Sequence, residues 1–448
     1  MKIAVIGAAG VRTPLLVHGL AEVAGQIPLE KISLYDMDQE RLQPMSRVAR
    51  AMARHCRLEA ELRAFPSVDE AVAGADVIIS SIRSGDIAAR VVDEQVALNH
   101  GLLGQETVGA GGFACAMRNL TAMMEIARAI ERSAPNATLI NFTNPVGIVS
   151  QGLLNHTRLH VIGVCDTPLE TFESIAHALD LNPFDLHFEY FGLNHLGWIK
   201  AVRDGNGVDL LPGLMNSPER LERCYRHGLF PPDFLHKLGL LPTEYLYFYY
   251  FPDRARDNTK RSGQSRGQLI EQLNQRLFPA LAAAPEADLV PIYENYLRER
   301  NASYFSIEAT AGASREDDRP LYSQFSGYER IAILLLTGLY SDRPRSLPLT
   351  VRNQGAMPEL LDSDSVELPC AVSRAGAIPQ APGPVPAQVL ELLQTVKQYE
   401  RWTAEAAVRH DRSLALQALG QNPVVGPERA AGVLNDYMKA FAPLMGLA

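Results

Sequence analysis

A cysteine and a histidine, each at the end of an apolar segment, form a pair that could bind a metal ion. Cys165 follows the apolar segment 160–164, and His195 follows Phe191-Gly192-Leu193. Each segment predicts a short buried strand, so both side chains would stand at strand ends. A thiolate and an imidazole can share one divalent cation and leave coordination positions open for a ligand. A single Cys is more often an inert buried thiol, and the rest of the sequence must decide between the two interpretations.

The composition limits the class of protein. The chain has 448 residues, of which 47% are apolar, so it can bury a large core. Its formal net charge of −9 argues against nucleic acid as a partner. Five cysteines lie scattered without paired spacing, which predicts reduced thiols and a cytoplasmic location. Met1-Lys2 leads into a strand pattern rather than a signal peptide, and no apolar segment is long enough to cross a membrane.

The elements that would position these side chains begin with a strand, a glycine turn and a helix. The strand is predicted over 2–6, and an apolar helical pattern follows the turn. Backbone N–H groups at such a turn can hold a phosphate, so we predict that Gly7, Ala8, Gly10 and Val11 bind a cofactor. The third glycine of the dinucleotide-binding pattern is missing, and a purely structural turn is the alternative.

The second strand, predicted over 31–35, ends at Asp36, where an acid commonly binds ribose hydroxyls and favours NAD over NADP. Strands and helices continue to alternate, which predicts a parallel, doubly wound sheet of the α/β class. Arg83 leaves the fourth strand at its C-terminal end, where ligands bind in such sheets, so we predict that it contacts the cofactor. The later strands of this alternation are predicted over 61–65, 76–81 and 138–141.

Polar and glycine-rich residues follow the fourth strand. Arg90 precedes the glycine-rich segment 101–112, which contains Glu106. We predict that this segment is a loop held close to a ligand, and a flexible surface loop is the alternative. Asn144 precedes Pro145 and is therefore biased to an extended conformation, which would present its amide at the ligand edge of the sheet.

Beyond residue 168 the regular alternation ends. We therefore predict a Rossmann-type NAD-binding domain over 1–168 and a mixed α+β domain over 169–448 for substrate, metal and subunit contacts. Four tyrosines within 245–250 predict a pocket wall, with a buried core as the alternative. Arg266 precedes a helix predicted over 268–277, and 389–419 is predicted to be one long helical region.

Taken in order, these motifs resemble glycoside hydrolase family 4, the NAD- and metal-dependent glycosidases. The resemblance covers nearly the whole chain, and it implies a fold similar to lactate and malate dehydrogenases. The segments that carry it are the glycine turn, Asp36, 90–95, 104–107, 141–145, 165–168, 192–195, 242–250 and 353–356.

The resemblance also implies roles for individual residues. Cys165 and His195 would bind a catalytic manganese ion, with substrate hydroxyls or water completing its shell. Tyr245 would be the base that removes the proton from sugar C2, and Asp166 matches the general acid of the phospho-α-glucosidase branch. The residues implied to contact the substrate, through sugar hydroxyls or a 6-phosphate, are Arg12, Arg90, Glu106, Asn144 and Arg266.

The implied reaction involves no net oxidation. NAD⁺ takes a hydride from C3, the metal acidifies the C2 proton, and a tyrosinate removes that proton. The C1 substituent leaves by elimination, water adds back, and NADH returns the hydride. The family is a known exception to two-carboxylate glycoside hydrolysis.

Two positions depart from the family pattern. Family members commonly carry Ser where this chain has Gly10, and Arg12 either takes over a phosphate contact or is an exposed residue at the helix start. Phospho-β-glucosidases often have Asn where this chain has Asp166, as the α branch does. The segment 244–247 and the Arg12 turn instead resemble a 6-phospho-β-glucosidase branch, and this is the activity we predict.

Several alternatives stay open. Within the family they are a 6-phospho-α-glucosidase and an enzyme for unphosphorylated sugars, although branches of the latter kind tend to carry His where this chain has Asp166. Outside the family they are an NAD-dependent hydroxy-acid dehydrogenase and a nucleotide-binding regulator without turnover. We expect a phosphorylated disaccharide or aryl glucoside as substrate, no nucleic acid or membrane partner, and a homodimer or homotetramer.

Overall fold

The computed structural model describes residues 1–225, 228–308, 321–322 and 327–447. In the first part of the chain, strands and helices alternate as predicted. The strands are β1 (Lys2–Ile6), β2 (Lys31–Tyr35), β3 (Glu61–Ala64), β4 (Val77–Ser80), β5 (Thr138–Asn141) and β6 (His160–Gly163). The helices are α1 (Thr13–Val23), α2 (Gln39–His55), α3 (Val68–Val72), α4 (Asp86–Asn99), α5 (Gly109–Ser133), α6 (Val146–His156) and α7 (Thr167–Ala178).

These six strands form a parallel sheet in the order β3-β2-β1-β4-β5-β6, which confirms the predicted doubly wound arrangement. The inner strands β1, β4 and β5 are short and mostly apolar because both faces of the sheet are covered there, whereas the edge strand β3 is partly exposed. In β1, Ala4 and Ile6 belong to one apolar cluster, whereas Ile3 and Val5 belong to the cluster on the opposite face. The carboxyl ends of the strands therefore meet at one edge, where the predicted site residues follow them.

Three later strands extend the same sheet beyond β6. They are β10 (Arg345–Arg352), β11 (Ser365–Ser373) and β12 (Gly376–Pro379), and each pairs antiparallel with its neighbour. The described sheet thus has nine strands in the order β12-β11-β10-β6-β5-β4-β1-β2-β3 and includes strands from both sides of residue 168. The division into domains at that residue stays a prediction.

A small second sheet carries the histidine of the candidate metal pair. It contains β7 (His187–Leu193), β8 (Leu196–Arg203) and β9 (Leu241–Pro242), all antiparallel. β7 and β8 form a hairpin whose two turn residues are Asn194 and His195. The interior of this sheet is apolar, and Trp198 on β8 is fully buried.

The remaining helices surround the two sheets. No helix in the described ranges is both long and apolar enough to cross a membrane. Their bounds are α8 (Leu211–Met215), α9 (Pro218–Cys224), α10 (Pro232–Leu238), α11 (Tyr247–Tyr250), α12 (Pro252–Ser262), α13 (Arg266–Ala283), α14 (Leu289–Ala302), α15 (Tyr328–Leu339), α16 (Ala387–Arg409), α17 (Arg412–Gln421) and α18 (Pro427–Phe441).

The prediction of a loop over 101–112 is wrong for its last part, because α5 begins at Gly109. The glycines there serve close packing against the preceding turn. A Cβ at Gly111 would lie 2.2 Å from the carbonyl oxygen of Gln105, and one at Gly112 would lie 2.4 Å from that of Thr107. Glycine lets the first helical turn approach this backbone, which no larger residue would permit.

Two helix boundaries also differ from the prediction. The helical region 389–419 is divided, because α16 ends at Arg409 and His410 after it adopts a left-handed conformation (φ +57°). The side chain of Asp411 then caps α17. Arg266 is the first residue of α13 rather than a residue before it.

Candidate active site

A cleft of about 910 Å³ runs along the carboxyl edge of the parallel sheet and continues to the hairpin of the small sheet. Every residue that the sequence assigned to a site lines it, except Ala8. The side chain of Ala8 is fully buried in the core, and its amide donates to the carbonyl oxygen of Tyr35. The predicted residues that line the cleft are Gly7, Gly10, Val11, Arg12, Asp36, Arg83, Arg90, Glu106, Asn144, Cys165, Asp166, His195, Tyr245 and Arg266.

The glycine turn at one end of the cleft has the geometry of an anion cradle. Gly7 adopts φ +89°, and a Cβ there would lie 2.4 Å from the carbonyl oxygen of Ser81. Among the described residues, the amides of Val11 and Arg12 have no hydrogen-bond acceptor. Free amides before a helix N-terminus are the donors that a phosphate requires.

Asp36 closes this turn from the neighbouring strand. Its Oδ2 accepts from the amide of Ala9 at 2.9 Å, and its Oδ1 accepts from that of Asp38 at 3.0 Å. Burial raises the pKa of the carboxyl group, while the two backbone donors oppose this effect. The carboxylate therefore has a fixed orientation at the rim of the cleft, where a ribose hydroxyl can reach its remaining lone pairs.

The candidate metal ligands are brought together by the two sheets. Cys165 Sγ lies 3.6 Å from His195 Nε2, close enough for one cation with bonds of about 2.1–2.3 Å to contact both. His195 Nδ1 is buried without a partner among the described residues. No group of three or more Cys, His, Asp or Glu side chains there is arranged to hold a metal. The pair thus fits a cation that takes its other ligands from bound molecules.

The ionisation of the two ligands agrees with this role. Burial lowers the pKa of His195 to about 4, so the imidazole is neutral and can bind a cation. Burial raises the pKa of the Cys165 thiol, and the charges of Asp166 and Glu367 add to the effect. A cation displaces the thiol proton on binding, so Cys165 is a better ligand at higher pH.

Tyr245 stacks on the imidazole of His195, with ring centroids 3.9 Å apart and an interplanar angle of 10°. This contact places the phenol beside the candidate cation site. Burial raises the pKa of the phenol, as do the charges of Glu106 and Cys165, whereas a hydrogen bond with Tyr304 opposes the rise. A cation bound between Cys165 and His195 would favour the phenolate through its positive charge.

A carboxylate shared by two arginines lies along the wall of the cleft. Glu106 Oε2 accepts from Arg83 at 2.7 Å and from Arg90 at 2.9 Å. Arg90 also donates to Glu94 at 2.7 Å. Burial alone would raise the pKa of Glu106, but Arg90 and Arg83 outweigh it and lower the value to about 2.

Two further arginines in the cleft lack a carboxylate partner. Neither Arg266 nor Arg300 has an acidic oxygen within 4 Å among the described residues. Arg266 donates to Ser303 Oγ at 2.8 Å and to the carbonyl oxygen of Arg300 at 3.2 Å. Arg300 Nε is buried and has no hydrogen-bond partner in the described part of the chain. Burial and the charges of Arg90 and Arg300 lower the pKa of Arg266 to about 10. Both arginines are half-buried, and two cations in one cleft without an acidic partner among the described residues are costly. The pair therefore indicates an anion site.

Arg12 also faces the cleft. Its guanidinium lies over the ring of Tyr328 at 4.4 Å, and its Nη1 is 3.9 Å from Asp166 Oδ2. Arg12 lines the cleft and is 34% exposed, so the predicted phosphate contact stays a prediction. Asp166 itself directly follows Cys165 and is 25% exposed.

Asn144 lies three residues beyond the end of β5 and is joined to Pro145 by a cis peptide bond. Asn119 Nδ2 donates to its carbonyl oxygen at 2.6 Å. The side-chain Oδ1 of Asn144 is buried and has no partner among the described residues. It lines the cleft, so this orphan acceptor is free for a ligand hydroxyl.

Two family models match the chain. "Family 4 glycosyl hydrolase" covers residues 2–181, and "Family 4 glycosyl hydrolase C-terminal domain" covers residues 190–425. The chain belongs to glycoside hydrolase family 4. The resemblance derived from its motifs is therefore confirmed, and it is a glycosidase by family.

Relatives of this family 4 chain match over nearly the whole length. A "Probable 6-phospho-beta-glucosidase" of Bacillus subtilis (strain 168) is 29% identical, covering 99% of this chain and 97% of the relative. A phospho-α-glucosidase of Clostridium acetobutylicum is 27% identical, covering 98% and 97%. The 6-phospho-β-glucosidase structure of Thermotoga maritima with manganese, NAD⁺ and glucose-6-phosphate has a TM-score of 0.80 at 27% identity, covering 98% of each chain.

The predicted likeness to lactate dehydrogenase holds at the level of the fold. The enzyme of Eimeria maxima superposes on this family 4 chain with a TM-score of 0.50 at 14% identity, covering 92% of this chain and 97% of the other.

Sequence reasoning missed several residues of the family 4 cleft. Arg300 belongs to no motif, and the only signal for it was its helical spacing from Tyr296, which lines the same wall. Tyr304 and Tyr328 were also missed, because neither belongs to a motif. Tyr304 lies two residues beyond the end of α14, and Tyr328 is the first residue of α15. All four side chains line the cleft.

Proposed function

We propose that this chain hydrolyses 6-phospho-β-glucosides and uses NAD and a divalent cation, manganese, to do so. The observation that carries the proposal is the pair Arg266 and Arg300. These two cations have no acidic partner among the described residues and lie in the same cleft as Cys165, His195 and Tyr245. A sugar 6-phosphate would supply the missing anion. The names of the three similar glucosidases support a phosphorylated glucoside as substrate, and two of these three names support the β-anomer.

The cleft has a place for each cofactor. The glycine turn and Asp36 would hold the pyrophosphate and a ribose of NAD, and Cys165 with His195 would hold the cation. When bound, NAD supplies a reversible hydride acceptor for C3, and the cation supplies a Lewis acid beside it. Neither function can be provided by the side chains of the chain itself.

The residues of the chain have distinct tasks in this reaction. Arg266 and Arg300 bind the 6-phosphate and so fix the sugar, while Asn144 Oδ1 accepts from a sugar hydroxyl. Tyr245 takes the proton from C2 after C3 has been oxidised, which allows the C1 substituent to leave by elimination. Addition of water to the double bond then reverses these steps, and Tyr245 returns the proton.

A 6-phospho-α-glucosidase is the second candidate, because Asp166 lies in the cleft next to Cys165 and can supply a proton to an α-linked leaving group. Hydrolysis of p-nitrophenyl 6-phospho-β-glucoside, its α-anomer and the unphosphorylated pair separates the candidates. We expect nitrophenol from the phosphorylated β-anomer with NAD⁺, Mn²⁺ and a reducing agent, and no build-up of NADH. Preference for the α-anomer would select the second candidate, and steady NADH formation would indicate a dehydrogenase.

Arg300→Gln tests the anion site, with Arg298→Gln as the matched control. Arg298 lies on the same helix but is 59% exposed and outside the cleft. Loss of a charge-assisted contact of about 1.5–3 kcal/mol should lower kcat/KM for the phosphorylated substrate roughly 10- to 100-fold. Arg298→Gln should behave as wild type. An Arg300→Gln enzyme with unchanged kcat/KM would show that the phosphate binds elsewhere.

We further propose a homodimer or homotetramer in the cytoplasm. Large apolar side chains at the surface favour an interface, among them Leu181 (45% exposed), Phe184 (55%) and Leu416 (39%). The five cysteines are unpaired, as in proteins of reducing compartments. Light scattering on the protein as it elutes from a size-exclusion column would measure its mass. The mass of a monomer would exclude a homodimer or homotetramer.

A further inference from the structure

A buried carboxylate outside the cleft connects the elements that carry the two candidate metal ligands. Glu367 lies on β11, is 1% exposed and does not line the cleft. It accepts from Tyr190 Oη at 2.6 Å, from Asn194 Nδ2 at 3.3 Å and from Thr350 Oγ1 at 3.3 Å. The reaction proposed above uses none of these groups. Burial of a carboxylate costs free energy, so we expect a function of Glu367 outside the reaction itself.

One arm of this network leads to His195. Asn194 precedes His195 in the turn between β7 and β8. Its Nδ2 donates to Glu367, and its Oδ1 accepts from the amide of Gly147 at 3.4 Å. His195 itself adopts φ +63°, a conformation that is unfavourable for residues other than glycine. Bonds on both sides of the Asn194 amide thus fix a strained turn that directs the imidazole at Cys165.

The other arm leads to Cys165. Thr350 on β10 lies opposite Glu367 on β11 and opposite Gly163 on β6. A Cβ at Gly163 would lie 2.8 Å from the Cβ of Thr350, so the two strands are in close contact there. Cys165 is two residues beyond Gly163. The hydrogen bond of Thr350 therefore ties Glu367 to the strand that delivers the thiol.

We propose that Glu367 is a positioning residue that holds Cys165 Sγ and His195 Nε2 at the separation required by a shared divalent cation. The two ligands come from different sheets, which pack through β7 and β11. Both Tyr190 and Asn194 donate to Glu367 across this contact, and the Asn194 bond is the one that reaches the turn of His195. The inference rests on the proposed function, because it requires a cation at the pair. Loss of a group that orients metal ligands commonly lowers metal affinity by roughly 10- to 100-fold.

Glu367→Gln is the test, because the carboxamide keeps the size of the side chain but cannot accept from both Tyr190 and Asn194. Mn²⁺ affinity is read from the electron paramagnetic resonance signal of free Mn²⁺ as the full chain is titrated with NAD present. We expect Mn²⁺ binding to weaken by about tenfold or more, and NAD affinity to stay unchanged. Tyr190→Phe is the matched control, since it removes one bond to the same carboxylate but keeps the Asn194 arm. Its Mn²⁺ affinity should stay near that of wild type.

Equal Mn²⁺ affinity in wild type and Glu367→Gln would overturn the inference and leave the proposed function intact. An equal loss in Tyr190→Phe would also overturn it, because the effect would then reflect a loosened interior. If Glu367→Gln does not fold, Asn194→Ala removes the same arm from its other end, and wild-type affinity in that variant would overturn the inference. A wild-type chain that binds no Mn²⁺ would count against the proposed function itself, and the inference would fail with it.

Discussion

Tyr245 is held beside the candidate cation site by a flat contact with an imidazole rather than by an acidic partner. The ring of His195 lies parallel to it at 3.9 Å, and Tyr304 forms a hydrogen bond with it. The same contact therefore fixes a candidate metal ligand and the candidate base. A base placed in this way needs no carboxylate to orient it, which agrees with a family that hydrolyses glycosides without the usual carboxylate pair.

Tyr245→Phe should abolish proton removal while leaving the ring contact with His195 in place. We expect kcat for the phosphorylated β-glucoside to fall by about 10²- to 10⁴-fold, with Mn²⁺ affinity unchanged. Tyr249→Phe is the control, because this tyrosine belongs to the same aromatic segment but does not line the cleft. Wild-type kcat in Tyr245→Phe would assign the base to another group.

Glu106 should make the free energy of unfolding depend on pH in the acid range. Its pKa in the folded state is about 2, below the ordinary value of 4.5, so the ionised carboxylate stabilises the fold above pH 4.5. That stabilisation, roughly 3 kcal/mol, is lost as the pH falls from 4.5 towards 2. Between pH 5 and pH 3, the free energy of unfolding in urea should fall by about 2 kcal/mol less in Glu106→Gln than in wild type. Glu59→Gln removes an exposed carboxylate and should show the same pH dependence as wild type. Parallel curves of unfolding free energy against pH for wild type and both variants would contradict the lowered pKa of Glu106.

At the scale of elements, the N-terminus of α13 sets the position of Arg266. Ser265 Oγ accepts from the amide of Gln268, and Gln268 Oε1 accepts from that of Ser265, which forms a capping box. The amide of Gly267 in the same turn donates to Glu94 at 2.7 Å. The helix is thereby attached to the carboxylate that also holds Arg90.

Ser265→Ala should therefore affect both stability and substrate binding. Loss of the cap costs about 1 kcal/mol, and a frayed first turn lets Arg266 move, so KM for the phosphorylated substrate should rise. Ser217→Ala removes the equivalent cap of α9, away from the cleft, and should lower the melting temperature without changing KM. Equal KM values in the two variants would show that the Ser265 cap does not affect substrate binding.

The elements that the sequence predicted well are those whose signal is local. The strand β1 is apolar on both faces, and a glycine turn follows it, so five residues suffice to identify it. The segment 109–112 gave a misleading local signal, because its glycines serve close packing at a helix start rather than a loop. Local sequence patterns therefore predict which residue types occur in a segment more readily than how that segment packs.

Non-local placement could not be predicted. Nothing in the residues of β10 names β6 as its partner, because antiparallel pairing across almost two hundred residues depends on the whole fold. The same limit hid Arg300, whose importance comes from its distance to Arg266 rather than from a motif. The catalytic roles predicted for Asp166 and Tyr245 come from family motifs that mark residues one by one, and they stay predictions.

At the scale of the whole molecule, strands from both ends of the chain share one sheet. NAD bound at the glycine turn should therefore stabilise the second half of the chain as much as the first. At a concentration 100 times its Kd, NAD adds about 2.7 kcal/mol to the free energy of unfolding. We expect tryptophan fluorescence, which reports Trp198 and Trp402, and far-UV circular dichroism to shift to the same higher melting temperature. A fluorescence transition that ignores NAD would reveal two units that unfold independently.

Glu106 divides one carboxylate oxygen between Arg83 and Arg90, and this has a consequence for how mutations combine. When either arginine is removed, the carboxylate turns wholly to the one that remains and neutralises it more completely. A substitution at Arg83 thus weakens the attraction of Arg90 for a bound anion, although the two arginines form no bond with each other. Free-energy losses at these positions will not add, and the double variant will report their coupling.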